Sequence, residues 1–132
     1  MASASEQPPV VRTAEDAARL FAPLFADLRR EKLLVAHLDT DSRLLALVEA
    51  GDGAASRVEL PLRAIIADAL RLGSAGIILA HCHPSGDPEP SEADRASTAR
   101  LSQVAAWLEI SLHDHLIFAG EEWRSFRAMG LL

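Results

Sequence analysis

The run AGIILAHCH, residues 75–83, constrains this chain more than any other stretch. It is apolar and branched as far as its closing histidines, and it lacks the apolar/polar alternation of a strand with one wet face. It therefore reads as a central strand buried on both sides, entered from a helix and left through Pro84. Such a strand needs a layer packed against each face, and the chain around it supplies helices.

Thr13 is a candidate N-cap with Asp16 three residues on, and Ala17, Leu20, Phe21, Leu24 and Leu28 recur at helical spacing. Pro23 inside that pattern predicts a kink or a fresh turn. The segments LLVAHLD (33–39), SRLLALVEA (42–50) and ASRVELP (55–61), separated by Asp39-Thr40-Asp41 and by GDG, predict a meander of three strands. Leu62, Ile65, Ile66, Ala69 and Leu70 predict a second helix stopped by Gly73. A third starts at Ser91 with Leu101, Val104, Ala105 and Leu108 on one face, and LHDHLIFAG and EEWRSF read as two closing strands. Residues 1–12 carry no period and read as a mobile tail. That leaves 13–132 as one domain without internal repeats.

At 132 residues, 49% apolar and 24% charged, the chain is long enough for one hydrophobic core. Its single cysteine, Cys82, rules out an internal disulfide framework, and MASASEQPPVVR has neither half of a secretory signal, so a cytoplasmic location is the default expectation. No apolar run approaches the ~18 residues of a membrane-spanning helix. A net charge of −6 without a Lys/Arg-rich run speaks against duplex DNA as a partner of this chain alone.

In a strand, residues two apart share a face, so His81 and His83 project together while Cys82 points away. Asp94 lies beyond a loop containing Pro84, Gly86, Pro88 and Pro90 that can return a carboxylate to the pair. Two histidines and an aspartate leave a fourth tetrahedral position open, the arrangement of a catalytic zinc. The same residues support a plainer account: Ser91-Glu92-Ala93-Asp94 is also a helix capping box, and His-x-His alone is weak evidence for a metal.

Taken together, His81-x-His83, Pro84-Ser85-Gly86, Pro90-Ser91 and Asp94 resemble the signature of the JAB/MPN (JAMM) metalloprotease fold in its bacterial RadC-type branch. HLDTDSRLL, AGIILAH, DHLIFAG and SFRAMGLL extend the likeness from about residue 13 onward. The resemblance implies a three-layer α/β fold, JAB/MPN-like and cytidine-deaminase-like, with a mixed sheet flanked by helices. It implies zinc held by His81, His83 and Asp94, with Glu31 as the base that takes the proton of the attacking water and Ser91 as donor to the oxyanion. Solvated charge and helix cap are the plain alternatives for those two residues.

The implied activity is hydrolysis of peptide or isopeptide amides, with peptides, proteins and ubiquitin-like conjugates as candidate substrates. Larger RadC-type proteins carry an N-terminal helix-hairpin-helix segment that this chain is expected to lack. A DNA repair or recombination accessory and a non-catalytic MPN scaffold are the rival readings. The sequence departs from the branch at Cys82 (commonly Asn), at Leu62-Arg63-Ala64 (commonly Pro-Arg-Glu) and at Ser125-Phe126-Arg127-Ala128 (commonly SF-x-Glu). A second His-x-His, His113-Asp114-His115, is expected to be structural in Asp114 and His115. His37 is expected to be a partly buried core or edge residue, and Cys82 an inert thiol.

Overall fold

The computed structural model describes residues 7–26, 31–50 and 60–132. Thr13 caps α1 (Ala14–Phe21) through a reciprocal box in which its hydroxyl accepts from the Asp16 N–H while the Asp16 carboxylate accepts from the Thr13 N–H. Pro23 then turns the chain into a 3-10 segment, Ala22–Phe25, because proline cannot donate to the preceding turn. Next come β1 (Leu33–Leu38), β2 (Leu44–Glu49), α2 (Leu62–Leu72), β3 (Gly76–Cys82), α3 (Glu92–Trp107), β4 (Ser111–Ala119) and β5 (Glu122–Ser125). Gly73 ends α2 at φ +71°, a left-handed conformation that costs a glycine nothing.

The sheet order is β2-β1-β3-β4-β5. Among the described strands β3 and β4 run parallel, α3 making the crossover between them, and the other pairs are antiparallel. The sheet is therefore mixed, with β3 at its centre and buried along its whole length. Its alternate residues feed two cores. Ile78, Ala80 and Cys82 meet Phe21 and Phe25 of the α1 layer, and Ile77 and Leu79 meet Ile65, Leu101 and Ala105 of the α2/α3 layer. Two covered faces explain why the sequence of β3 does not alternate. Each fully buried leucine or isoleucine there contributes roughly 1.5–3 kcal/mol.

The structure refines several expectations. Part of the stretch read as a tail is held: Val10 bridges to Arg43, the Val11 N–H donates to the Ser42 carbonyl and the Val11 side chain is buried. The first helix is shorter than its apolar period. It stops at Phe21, and Leu24 beyond it is exposed. Leu28 and nearly all of the expected third strand, 55–61, lie outside the described residues, while Leu60 and Pro61 lead directly into α2. Leu70, on the predicted face of α2, is 58% exposed. It lies at the rim of a stripe whose centre is Ile65 and Ala69.

Candidate metal centre

The carboxyl end of β3 positions the histidines. The Leu33–His81 pairing with β1 and the Ile117–His81 pairing with β4 fix the backbone on both sides, and the His83 N–H donates to the Phe118 carbonyl at 2.7 Å. Strand alternation sends both imidazoles to the α3 side, with ring centroids 4.7 Å apart and Nε2 facing Nε2 at 2.9 Å. Cys82 points the other way into the α1 core, and burial pushes its thiol pKa up, as suits an inert sulfhydryl.

Asp94 arrives from the first turn of α3. The Ser91 hydroxyl accepts from the Asp94 N–H at 2.9 Å, and the Ser91 N–H donates to Asp94 Oδ2 at 2.8 Å. The capping box is thus present, and it is also what aims the carboxylate. Asp94 Oδ1 lies 3.7 Å from His81 Nε2, and Oδ2 lies 3.4 Å from His83 Nε2. The cap that starts α3 is what turns the Asp94 carboxylate toward the histidines, so capping and a metal-binding role are compatible here.

All three ligand atoms lie within 4.8 Å of one another. Around a tetrahedral ion with bonds near 2.0–2.1 Å, ligand atoms sit about 3.3–3.4 Å apart. The imidazole nitrogens are 2.9 Å apart and lie 3.7 and 3.4 Å from the two different Asp94 oxygens, with one ligand atom from each residue within 4.8 Å of the others, so the donor set can close around a small divalent cation. Burial lowers the His81 pKa to about 4 and keeps the ring neutral, as a ligand must be. For Asp94, burial opposes ionisation. The hydrogen bonds from His83 and Ser91 and the nearby His81 ring outweigh it and hold the carboxyl well below its usual range. The hydrogen bond to Asp94 raises the His83 pKa, with help from the Asp87 carbonyl and the charge of Glu31.

Glu31 stands just before β1. Extending the antiparallel register of Leu33 and His81 by two residues places it opposite His83, on the face that carries the histidines, and it is half-buried. Its charge reaches His83, which puts it beside the donor set, although it is not one of the three grouped ligand residues. The Ser91 hydroxyl spends a lone pair on the helix cap and keeps its own proton to donate.

The second His-x-His is divided by a β-bulge. Ile77 pairs with Leu112 and Ile78 with Asp114, leaving His113 as the extra residue. The His113 ring lies over Gly76, where a Cβ would collide with it. It also lines a cleft of about 440 Å³ with Val11, Arg12, Ile78 and Arg127, on the α1 side, whose lining includes none of His81, His83 and Asp94. Asp114 is structural as expected: its carboxylate accepts from the Ser125 hydroxyl and from the His115 and Arg127 N–H groups.

His115 is fully buried and stacks on Phe126, which also suits a structural role. Yet its Nε2 lies 2.8 Å from His81 Nδ1 and its Nδ1 lies 2.8 Å from Thr98 Oγ1. Sequence reasoning missed this link. The available signal was helical spacing, since Thr98 lies four residues after Asp94 and so shares its face of α3. His37, in mid-β1, is fully rather than partly buried, with Nδ1 2.8 Å from Ser74 Oγ and, among the described residues, no hydrogen-bond partner for Nε2.

The RadC-like JAB domain description matches residues 11–131. The chain is 39% identical over 127 residues to the UPF0758 protein YkfG of Escherichia coli, covering 96% of this chain and 80% of that one. It is 39% identical to the UPF0758 protein YeeS of the same organism, with coverage of 96% and 86%. It is 40% identical to the UPF0758 protein Bpet3149 of Bordetella petrii, covering 86% of this chain but only 51% of that longer relative. Among the described residues no helix is long and apolar enough to cross a membrane.

Proposed function

This chain belongs to the RadC-like JAB domain family, and from that premise we propose that it is a zinc-dependent hydrolase of peptide or isopeptide amide bonds. The observation that carries the reading is the convergence of His81, His83 and Asp94 at one end of the central strand, their ligand atoms within 4.8 Å. A bound zinc ion would supply Lewis acidity, polarising the scissile carbonyl and making water a competent nucleophile near neutral pH.

The chain's own residues do the rest. The Asp87 carbonyl and the Ser91 backbone hold His83 and Asp94 in place. Glu31 takes the proton of the attacking water and returns it to the departing amine nitrogen. The free proton of the Ser91 hydroxyl is donated to the oxyanion as the carbonyl becomes tetrahedral. The net charge of −6 favours peptide or protein substrates, ubiquitin-like conjugates among them, over duplex DNA.

Zinc-loaded protein tested on flexible peptides and on linear and branched ubiquitin-like conjugates decides the matter. Wild type cleaves, Glu31→Gln keeps its zinc but slows at least about a hundredfold, and Asp94→Asn loses both metal and activity. Cleavage that survives Glu31→Gln removes Glu31 as the base. No cleavage by fully loaded wild type removes the hydrolase reading in favour of a scaffold.

A further inference from the structure

We propose that His115, backed by Thr98, is a positioning residue that sets which nitrogen of His81 is free to bind a metal, and that metal binding reverses the direction of the buried His81–His115–Thr98 hydrogen-bond chain. This rests on His81, His83 and Asp94 being the metal site. The argument is donor–acceptor accounting. His83 Nδ1 lies 2.8 Å from the Asp87 carbonyl, which can only accept, so His83 carries its proton on Nδ1. In its neutral form, its Nε2 then presents a lone pair. His81 Nε2 sits 2.9 Å away, and two nitrogens that close need one hydrogen between them, so without a metal that proton is on His81 Nε2.

The rest follows ring by ring. Neutral His81 has a bare Nδ1, which accepts from His115 Nε2–H at 2.8 Å. Neutral His115 has a bare Nδ1, which accepts from the Thr98 hydroxyl at 2.8 Å. The metal-free chain therefore runs Thr98 to His115 to His81 to His83.

A cation needs the lone pair of His81 Nε2, so the His81 proton must sit on Nδ1. His115 Nε2 must then accept, the His115 proton must sit on Nδ1, and the Thr98 oxygen must accept in turn. Each ring keeps one proton and Thr98 keeps its own, so the proton count on the three groups is unchanged. An imidazole and a hydroxyl can each serve both directions, because each both donates and accepts. Phe126 stacked on His115, centroids 4.5 Å apart at 14°, and Asp114 accepting from the His115 backbone N–H keep the residue in line. Ser125, bonded to Asp114, anchors that support from β5.

The test uses full-length protein at alkaline pH, above about 8, where the imidazoles are neutral. Nitrogen-15 NMR of the histidine rings reports the tautomers directly. Without metal, His81 and His115 are protonated on Nε2. With one equivalent of zinc, both are protonated on Nδ1. Unchanged tautomers on zinc loading, or a metal-free His81 already protonated on Nδ1, overturn the proposal.

Zinc affinity by competition with a chelating dye is the second readout, with melting temperature as the folding control. His115→Phe keeps the stack but loses both nitrogens and binds zinc about 10–100-fold more weakly. His115→Gln, whose carboxamide can accept or donate at the Nε2 position, recovers affinity to within a few fold of wild type. Thr98→Val, which removes the hydroxyl bonded to His115, loses about 3–10-fold. Parent-like affinity in His115→Phe contradicts the proposal, as does a His115→Gln no better than His115→Phe. If Asp94→Asn binds zinc as tightly as the parent, the metal-site reading fails instead, and the metal-free tautomers still judge the hydrogen-bond chain.

Discussion

The chain contains His-x-His twice, and the two copies do opposite things. His81 near the end of β3 and His83 just beyond it follow one another without a register shift and converge at 2.9 Å, whereas a bulge at His113 divides it from His115. His113 goes to the α1 side over Gly76, and His115 goes to the α3 side beneath His81. One inserted residue thus turns a second potential ligand pair into a spacer and a support. A spacing motif is only as informative as the regularity of the backbone that carries it.

The largest expected effect breaks the two copies apart. His83→Ala weakens zinc binding by at least about a thousandfold, well beyond the 10–100-fold typical of an outer-shell partner, while His113→Ala stays within about threefold of wild type. Competitive zinc titration checks both, and equal losses in the two variants would mean that the copies are equivalent.

The bulge itself can be tested next. Gly76→Ala puts a methyl group where the His113 ring lies and destabilises the protein by about 2 kcal/mol, the ring giving way to limit the cost. Adding His113→Ala recovers most of that loss. Chemical denaturation of the two singles and the double gives the coupling, and strict additivity would mean that His113 and Gly76 are not in contact.

Much of this contrast was legible beforehand and part was not. Capping boxes at Thr13 and Ser91, the stop at Gly73 and the buried character of β3 are set by neighbours in sequence, so pattern and spacing suffice. The same-face placement of His81 and His83 follows from strand period alone. The bulge at His113 depends on how β4 packs beside β3, which no local pattern encodes, and so the link from His115 to His81 was hidden. Pairing of Val10 with Arg43 was hidden for the same reason, since a short extended segment without a period shows its partner only in the fold. Ser91 and Asp94 were legible twice over, as a cap and as part of a candidate metal site, and the geometry makes the two readings compatible.

The smallest effect concerns pH and again separates the histidines. The folded His83 pKa is raised above 6.5, chiefly by its bond to Asp94, so a metal must displace its proton throughout the range below that raised value. Zinc affinity therefore begins to fall above pH 6.5 as the pH drops, by up to about tenfold per unit. His81, lowered to about 4 by burial, adds a second competing proton only near pH 4. An onset below pH 6.5 would mean that Asp94 does not hold a proton on His83. In the metal-free protein the sign at His81 and His115 is different. Their folded pKa values are lowered, so the unfolded chain binds more protons and stability falls as pH drops below 6.5.

X-ray absorption at the zinc edge, on protein loaded with one equivalent of metal, tests the central claim most directly. The account predicts two imidazole ligands, from His81 and His83, with the remaining ligands all oxygen, the Asp94 carboxylate among them. Three imidazoles, which would bring in His113 or His115, or a sulfur ligand, which would bring in Cys82, would contradict it.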